Sequence, residues 1–168
     1  MLERLDLFQL DSLFPLSDDF RLKHISGRTL ADIKPSLDFS TVTDIGQLTA
    51  LLDPIPFRIT PTEDGGTQGF AVLGGNKETG EVVVLAAIQN GSGPRHRHQG
   101  PERCHVLKGT LDLNWGQEML FSAPNEYDMP DQSVHQPASP NGLVIVVYHQ
   151  ERGSTIEPLP ETPAVPSA

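Results

Sequence analysis

The sequence predicts an all-β domain: a closed antiparallel double-sheet barrel of the jelly-roll class, with an N-terminal arm that contains one short helix. Glycine and proline are frequent, with 15 of each in 168 residues, and they supply the turns that many short strands need. From about residue 68 onward, short apolar runs alternate with turn sequences and give about eight candidate strands. Long segments with helical periodicity are few, and the chain length suits one domain.

Residues 1–67 are predicted to form the N-terminal arm. The segment 43–52 has apolar residues at helical spacing, with Thr43 as the expected N-cap. The Asp53-Pro54 pair is expected to end this helix. A short strand is expected at 57–60, before a glycine-containing loop.

Residues 68–152 are predicted to form the barrel. The expected strands are 69–73, 81–89, 96–98, 104–108, 110–115, 118–122 and 143–149. The run 81–89 is apolar on both faces, which predicts a central strand, and Gly116-Gln117 is expected to form a hairpin turn. Residues 153–168 contain four prolines and few apolar residues, so a disordered tail is expected there.

Charge and cysteine content limit the classes of function. A net charge of −10 disfavours binding to nucleic acid and to anionic membranes, because the chain has no basic stripe that would neutralise their phosphates. The single cysteine, Cys104, cannot form an internal disulfide, which favours a reducing, cytoplasmic location. The N-terminal residues lack the continuous apolar core of a secretory signal, and no run is long enough to span a bilayer.

Three histidines and one glutamate form a candidate metal-ligand set. His96 and His98 are two residues apart, so both side chains project from the same face of an extended strand. Glu102 keeps this alternation if the strand continues through a tight bend at Gly100-Pro101, and His135 would return from a neighbouring strand. Imidazole and carboxylate ligands together suit a divalent transition metal.

This pattern resembles the first motif of the cupin family. That motif reads Gly, a short spacer, His-x-His, three or four residues, Glu, six residues and Gly. Here it corresponds to Gly91, His96, His98, Glu102 and Gly109, with a spacer of four residues instead of five after the first glycine. The resemblance covers roughly residues 68–150 and implies a double-stranded β-helix, the cupin form of the jelly roll.

The second cupin motif is matched in part. It reads Gly, five residues, Pro-x-Gly, two residues, His, three residues and Asn. Pro130 and His135 match, whereas Pro124 and Gln132 stand in place of the two glycines and Ser139 in place of the asparagine. The turn before His135 therefore differs from the family pattern. If His135 pointed away, two histidines and one carboxylate would still form an iron-competent set.

The resemblance implies a metal centre with open coordination positions rather than a closed structural site. Fe(II) is the first choice because cupins with this ligand set are often dioxygenases, and Zn, Ni or Mn are alternatives. The expected function is a non-haem Fe(II) dioxygenase, an oxidoreductase, acting on a small molecule. A metal-dependent lyase or isomerase, and a metal-bound sensing cupin without catalysis, are the alternatives. The resemblance also implies a homodimer.

Other residues near the ligands have alternative roles. Arg95 is a candidate for binding a substrate carboxylate, or it is a solvated rim residue. Tyr127 is a candidate hydroxyl donor at the mouth of the barrel, or it packs as an aromatic side chain. Cys104 shares the alternation of Glu102, so it is either a small core residue or a functional thiol. Candidates for fixing the histidine tautomers are Gln132, Ser139 and Glu126.

Overall fold

A computed structural model of the chain describes residues 5–6, 38–53, 57–76, 81–114, 119–150 and 155–159. Within these ranges there are one helix and twelve strands. The helix is α1 (Ile45–Leu52), and the strands are β1 (Leu5–Asp6), β2 (Arg58–Pro61), β3 (Thr67–Asn76), β4 (Glu81–Gln89), β5 (His96–His98), β6 (Glu102–Lys108), β7 (Thr110–Asp112), β8 (Leu120–Ser122), β9 (Glu126–Met129), β10 (Val134–His135), β11 (Leu143–Gln150) and β12 (Thr155–Pro158).

The strands form three antiparallel sheets. The largest has six strands in the order β2-β3-β4-β11-β6-β9, and the second has four in the order β1-β12-β5-β10. A small sheet consists of β7 and β8. Because non-consecutive strands are neighbours in both larger sheets, the chain passes repeatedly from one sheet to the other, as in a jelly roll. The predicted all-β, jelly-roll class is confirmed.

The centre of the six-stranded sheet is apolar on both faces. In β4, Val83 and Leu85 are fully buried in the cluster that includes Leu48 and Leu52 of α1. The alternate residues Val82 and Val84 are also fully buried. The helix therefore covers one face of the sheet, and the other face lines the interior of the barrel. This confirms that β4 is a central strand, with neighbours β3 and β11.

The helix begins one residue later than expected. Asp44, not Thr43, is the N-cap, and its carboxylate accepts a hydrogen bond of 2.8 Å from the backbone N–H of Gln47. The side-chain oxygen of Gln47 accepts in return from the backbone N–H of Thr43, also at 2.8 Å. This reciprocal pairing resembles a capping box, and the carboxylate of Asp44 therefore caps the helix. At the other end Asp53 is the C-cap, as expected, while Pro54 lies outside the described residues.

One segment that was predicted to be disordered is partly a strand. Thr155–Pro158 forms β12, which pairs with β5 on one side and β1 on the other. The prediction was wrong for these four residues because main-chain pairing with the edge of β5 needs few apolar side chains. The rest of the predicted tail, apart from Leu159, lies outside the described residues, as does most of the arm before residue 38.

The small sheet is consistent with the expected hairpin. Thr110 pairs with Ser122 and Asp112 with Leu120, so β7 and β8 run antiparallel. The predicted turn at Gly116-Gln117 lies outside the described residues. Among the residues that the structure describes, no helix has the length and apolar character needed to span a membrane.

Candidate metal centre

The pairing of β5 with β10 brings two of the predicted ligands together. His135 is the direct partner of His96 in the antiparallel register. Their imidazole rings meet edge to face, with centroids 4.5 Å apart. Both side chains are buried, with exposed fractions of 8% and 3%. The partial second motif therefore still brings His135 to the side of the first motif.

Glu102 begins β6 and is also buried, with 5% of the residue exposed. The bend before it uses Gly100, whose φ of 77° lies in the left-handed region that favours glycine. The backbone N–H of Gly100 donates a hydrogen bond of 2.6 Å to Asp131. This contact ties the bend of the first motif to the turn that precedes His135.

The three side chains of His96, Glu102 and His135 line one cavity of about 160 Å³. Cys104 and Tyr127 line it as well, so the predicted inward direction of Cys104 is confirmed. The rest of the wall is mostly apolar. It is formed by Gln68, Gly69, Phe70, Ala86, Ala87, Ile88, Gly93, Pro94, Leu111, Leu113, Pro137, Val144, Val146 and Tyr148.

His98 lies on β5, with its backbone paired to Ile156 of β12. Its side chain is outside the part that the structure describes. In the described part of the chain, no group of three or more His, Cys, Asp or Glu residues is arranged to hold a metal ion. The four-ligand set consequently stays a prediction.

The hydrogen bonding of His96 fits a metal ligand. The carbonyl of Pro94 lies 2.9 Å from Nδ1, and because a carbonyl only accepts, Nδ1 carries the proton and donates. The other ring nitrogen, Nε2, is then the one with a lone pair for a metal. With the buried carboxylate on the same cavity, this donor chemistry fits a divalent transition metal.

Sequence reasoning missed this carbonyl because it belongs to the main chain. The three side chains suggested for such a role make other contacts. Glu126 accepts from His105 at 2.7 Å, Gln132 donates to Asp131, and Ser139 donates to the carbonyl of Gly142. The signal that could have found it is the short link between Pro94 and His96, which allows a local main-chain contact.

Burial dominates the electrostatics of the cavity. It raises the pKa of Glu102 to about 7, while a hydrogen bond from Gln150 lowers that pKa in part. Gln150 is fully buried on β11 and donates from Nε2 to Glu102 at 3.4 Å. The pKa of Cys104 is raised well above its usual range, first by burial and then by the Glu102 carboxylate. A bound cation would stabilise the ionised form of Glu102.

Tyrosine side chains form part of the same wall. Burial raises the pKa of Tyr127 and of Tyr148, with the Glu102 carboxylate adding to both shifts, so both are neutral phenols. Tyr127 lines the cavity and stacks on Phe121, with ring centroids 4.4 Å apart. It therefore has both an aromatic contact and a place on the cavity wall. Arg95 is half-buried before β5 and is not among the residues that line the cavity.

The departures from the second motif have a structural counterpart. Gln132 has a φ of 63°, so a non-glycine residue occupies the left-handed conformation where the motif has glycine. Ser139, in place of asparagine, contacts two loop carbonyls: its N–H donates to Gly91 at 2.9 Å and its hydroxyl to Gly142. With these substitutions, His135 is still buried and paired with His96.

Comparison with protein families finds one match, to the ChrR cupin-like domain, over residues 49–152. The matched segment contains the C-terminal half of α1 and strands β2 to β11, together with all four predicted ligands. A comparison with curated proteins finds no match.

Solved structures with a similar fold include a cupin-2 domain from Rhodospirillum rubrum. It is 16% identical, with a TM-score of 0.53, over 65% of this chain and 78% of that one. A protein of unknown function with a cupin-like fold from Ralstonia eutropha is 22% identical over 54% of this chain, with a TM-score of 0.46. The match spans 62% of the length of that protein.

An acetylacetone dioxygenase from Acinetobacter johnsonii is also similar. It is 18% identical, with a TM-score of 0.46, over 55% of this chain and 67% of that one. At these identities the similarities concern the fold alone.

Proposed function

The chain belongs to the ChrR cupin-like domain family, and we propose that it is a metal-dependent cupin enzyme acting on a small organic molecule. The first candidate reaction is oxidation by a non-haem Fe(II) dioxygenase. His96, His98, Glu102 and His135 would hold the ion. When bound, the ion would supply Lewis acidity and a place for dioxygen beside the substrate.

The observation that carries this proposal is the shared cavity. Two imidazoles and a carboxylate, from β5, β6 and β10, line a small and mostly apolar space. Its volume of about 160 Å³ is below the range of roughly 300–1,000 Å³ that is typical of sites for drug-sized ligands. The substrate is therefore expected to be a small molecule with an apolar carbon skeleton.

The other residues of the cavity would bind and orient that molecule. Ile88, Val144 and Val146 provide apolar contacts and exclude water from the reacting centre. The phenol of Tyr127 and the amide of Gln68 are polar groups on the same wall, suited to a carbonyl or hydroxyl of the substrate. Gln150 contacts Glu102 from behind and would hold its carboxylate in place.

The second candidate is a metal-bound sensing domain without turnover. The family match favours it, because the cupins that this sequence resembles include zinc-bound sensing domains of the ChrR type, and the matched family is the ChrR cupin-like domain. Here the cavity would hold a zinc ion and a signal molecule rather than a substrate. The two candidates share the ligands and differ in the metal and in whether a product forms.

The test is reconstitution of the metal-free protein under anaerobic conditions with Fe(II) or with Zn(II). Oxygen consumption is then followed with small β-diketones and thiols. The dioxygenase proposal expects Fe(II)-dependent oxygen uptake that is lost in His96→Ala and kept in His105→Ala. His105 is a suitable control because it lies on β6 and pairs with Glu126. Tight zinc binding, with no oxygen uptake by the iron form, would favour the sensing domain.

A further inference from the structure

A polar groove lies directly outside the cavity. This outer groove, about 580 Å³, is lined by Pro61, Glu63, Asp64, Gln68, Ser92, Gly93, Pro94 and Gln136. Three of its lining residues, Gln68, Gly93 and Pro94, also line the cavity. The groove and the cavity are therefore separated by a wall that is one residue thick at these positions.

The main chain of this wall is held in place. The N–H of Gly93 donates to the carbonyl of Pro137 at 2.8 Å, and the side chain of Gln136 donates to the carbonyl of Gly93 at 3.3 Å. Ser92 forms an isolated β-bridge with Ala138. Because the backbone is fixed on both sides, passage across the wall depends on side chains, and Gln68 is the longest of them.

Gly93 leaves the space that a side chain would occupy. A Cβ atom at this position would lie 3.2 Å from the ring of Pro137 and 3.3 Å from the amide oxygen of Gln68. These distances are tight but not a clash. Alanine at position 93 would therefore crowd the space between Pro137 and Gln68 slightly, and valine would crowd it more. A side chain at Gly93 would therefore have to displace Pro137 or Gln68, so the wall is thinnest where this residue is glycine.

The outer groove is negatively charged. Glu63 and Asp64 line it, and its lining residues include no lysine or arginine. The pKa of Asp64 is lowered by a hydrogen bond from the Thr62 hydroxyl and by one from the N–H of Ser92, so this carboxylate stays ionised. Two carboxylates that line the same groove repel anions.

We propose that the outer groove is the access route to the cavity and that it selects uncharged small molecules against anions, with Gln68 as the specificity-determining side chain at the wall. The inferred substrate class rests on the proposed function, because it assumes that the molecule that enters the cavity is the one that reacts. The access route does not rest on the proposed function. Uncharged carbonyl or hydroxyl compounds fit this class, whereas the carboxylate substrates for which Arg95 was one candidate do not.

The route is measurable without catalysis, because Cys104 is the single cysteine of the chain and lines the cavity. Its thiolate attacks the sulfenyl sulfur of a methanethiosulfonate reagent, methanesulfinate leaves, and a mixed disulfide forms. The uncharged 2-hydroxyethyl reagent and the anionic 2-sulfonatoethyl reagent are compared by intact mass. The ratio of the two rates is taken within each variant and divided by the ratio for the denatured protein. A change in stability alone then moves this quantity toward one.

In the protein as purified, we expect the uncharged reagent to be favoured at least about fivefold. Glu63→Lys should lower this preference by about threefold or more. Asp128→Lys is the matched control, since Asp128 is exposed on β9 at the opposite edge of the six-stranded sheet, and it should leave the preference unchanged. Gly93→Val should slow the uncharged reagent by about tenfold, and Gln68→Ala should accelerate it.

Each result has a defined meaning. A preference of about one in the native protein, or equal effects of the Glu63 and Asp128 variants, would overturn the route. Should Gly93→Val fold poorly by circular dichroism, Gly93→Ala and Gln68→Ala carry the steric test. Failure of the proposed function is recognised separately. The labelling of Cys104 requires neither a metal nor oxygen uptake, so the groove variants test the route even if both are absent.

Discussion

The two larger sheets differ in strand length and in what they contribute to the cavity. In the six-stranded sheet, β3, β4 and β11 are ten, nine and eight residues long. In the four-stranded sheet, β5 and β10 have three and two residues, yet they bring the two imidazoles together. The long strands contribute apolar core residues from both of their faces. The short strands instead place polar side chains at the edge of the apolar core.

This difference indicates that stability depends mostly on the long strands, whereas the short strands contribute mainly to the site. The long strands bury many apolar side chains, each of which stabilises the fold by about 1.5–3 kcal/mol. The short strands bury little apolar surface and are fixed by pairing with neighbours, for example β5 between β12 and β10. Substitutions in the long strands should therefore affect folding most, and those in the short strands should affect the site most.

The largest effect on stability is expected for Leu85→Ala. Leu85 is fully buried in β4 beneath α1, so its truncation leaves a cavity and should lower the free energy of unfolding by about 3–5 kcal/mol. Leu120→Ala is the matched control, because Leu120 is 50% exposed on β8 and should change stability by about 0.5 kcal/mol or less. Urea unfolding followed by circular dichroism measures both. Equal losses in the two variants would break the comparison between the sheets.

The next effect concerns Glu102 in the metal-free protein. Burial raises its pKa to about 7 from a usual value of 4.5, so the folded state holds its proton to higher pH than the unfolded state. Stability is therefore expected to fall as the pH rises from about 4.5 through about 7, by about 3 kcal/mol from this group. Chelator-treated protein should show this fall in urea titrations at pH 4 to 8.

Glu102→Gln sharpens this prediction. In the described part of the chain, the buried Oε1 of Gln150 has no hydrogen-bond partner, and a glutamine at position 102 could donate to it. The variant should lack the fall in stability and should be more stable than the metal-free wild type at pH 8. If wild type and variant follow the same pH profile, the raised pKa of Glu102 is refuted.

The smallest effect is expected for Gln132→Gly, in the turn before β10. Its φ of 63° disfavours a side chain, so glycine should raise the free energy of unfolding by up to about 1 kcal/mol. Gln99→Gly provides the control, because Gln99 is exposed and is not among the residues with positive φ, so glycine should destabilise there. A melting temperature that falls equally in both variants would show that glycine relieves no backbone strain at position 132.

The parts of the fold that local patterns determine could be predicted from the sequence. The run of β4 is apolar on both faces, and the spacing of His96 and Glu102 gives their shared direction. The short strands β9, β10 and β12 could not be predicted, because two to four residues carry little periodicity and become strands only when a partner strand lies beside them.

The surroundings of the candidate site were also beyond the sequence. Gln150 faces Glu102 because of the register between β11 and β6, which sequence spacing does not give. The carbonyl of Pro94 and the wall at Gly93 depend on main-chain positions in a loop. Candidate ligands could therefore be proposed from the sequence, whereas the groups that surround them could not.

The central claim is that the histidines of the short strands, together with Glu102 of β6, hold a metal ion, and metal content by inductively coupled plasma mass spectrometry tests it most directly. Untagged wild type is compared with a His96→Ala/His98→Ala variant and with His105→Ala, whose imidazole lies on β6 beside Glu126. We expect about one transition-metal ion per chain in wild type and in His105→Ala, and its loss in the double variant. No metal in wild type, even after reconstitution with Fe(II) and Zn(II), would contradict the claim.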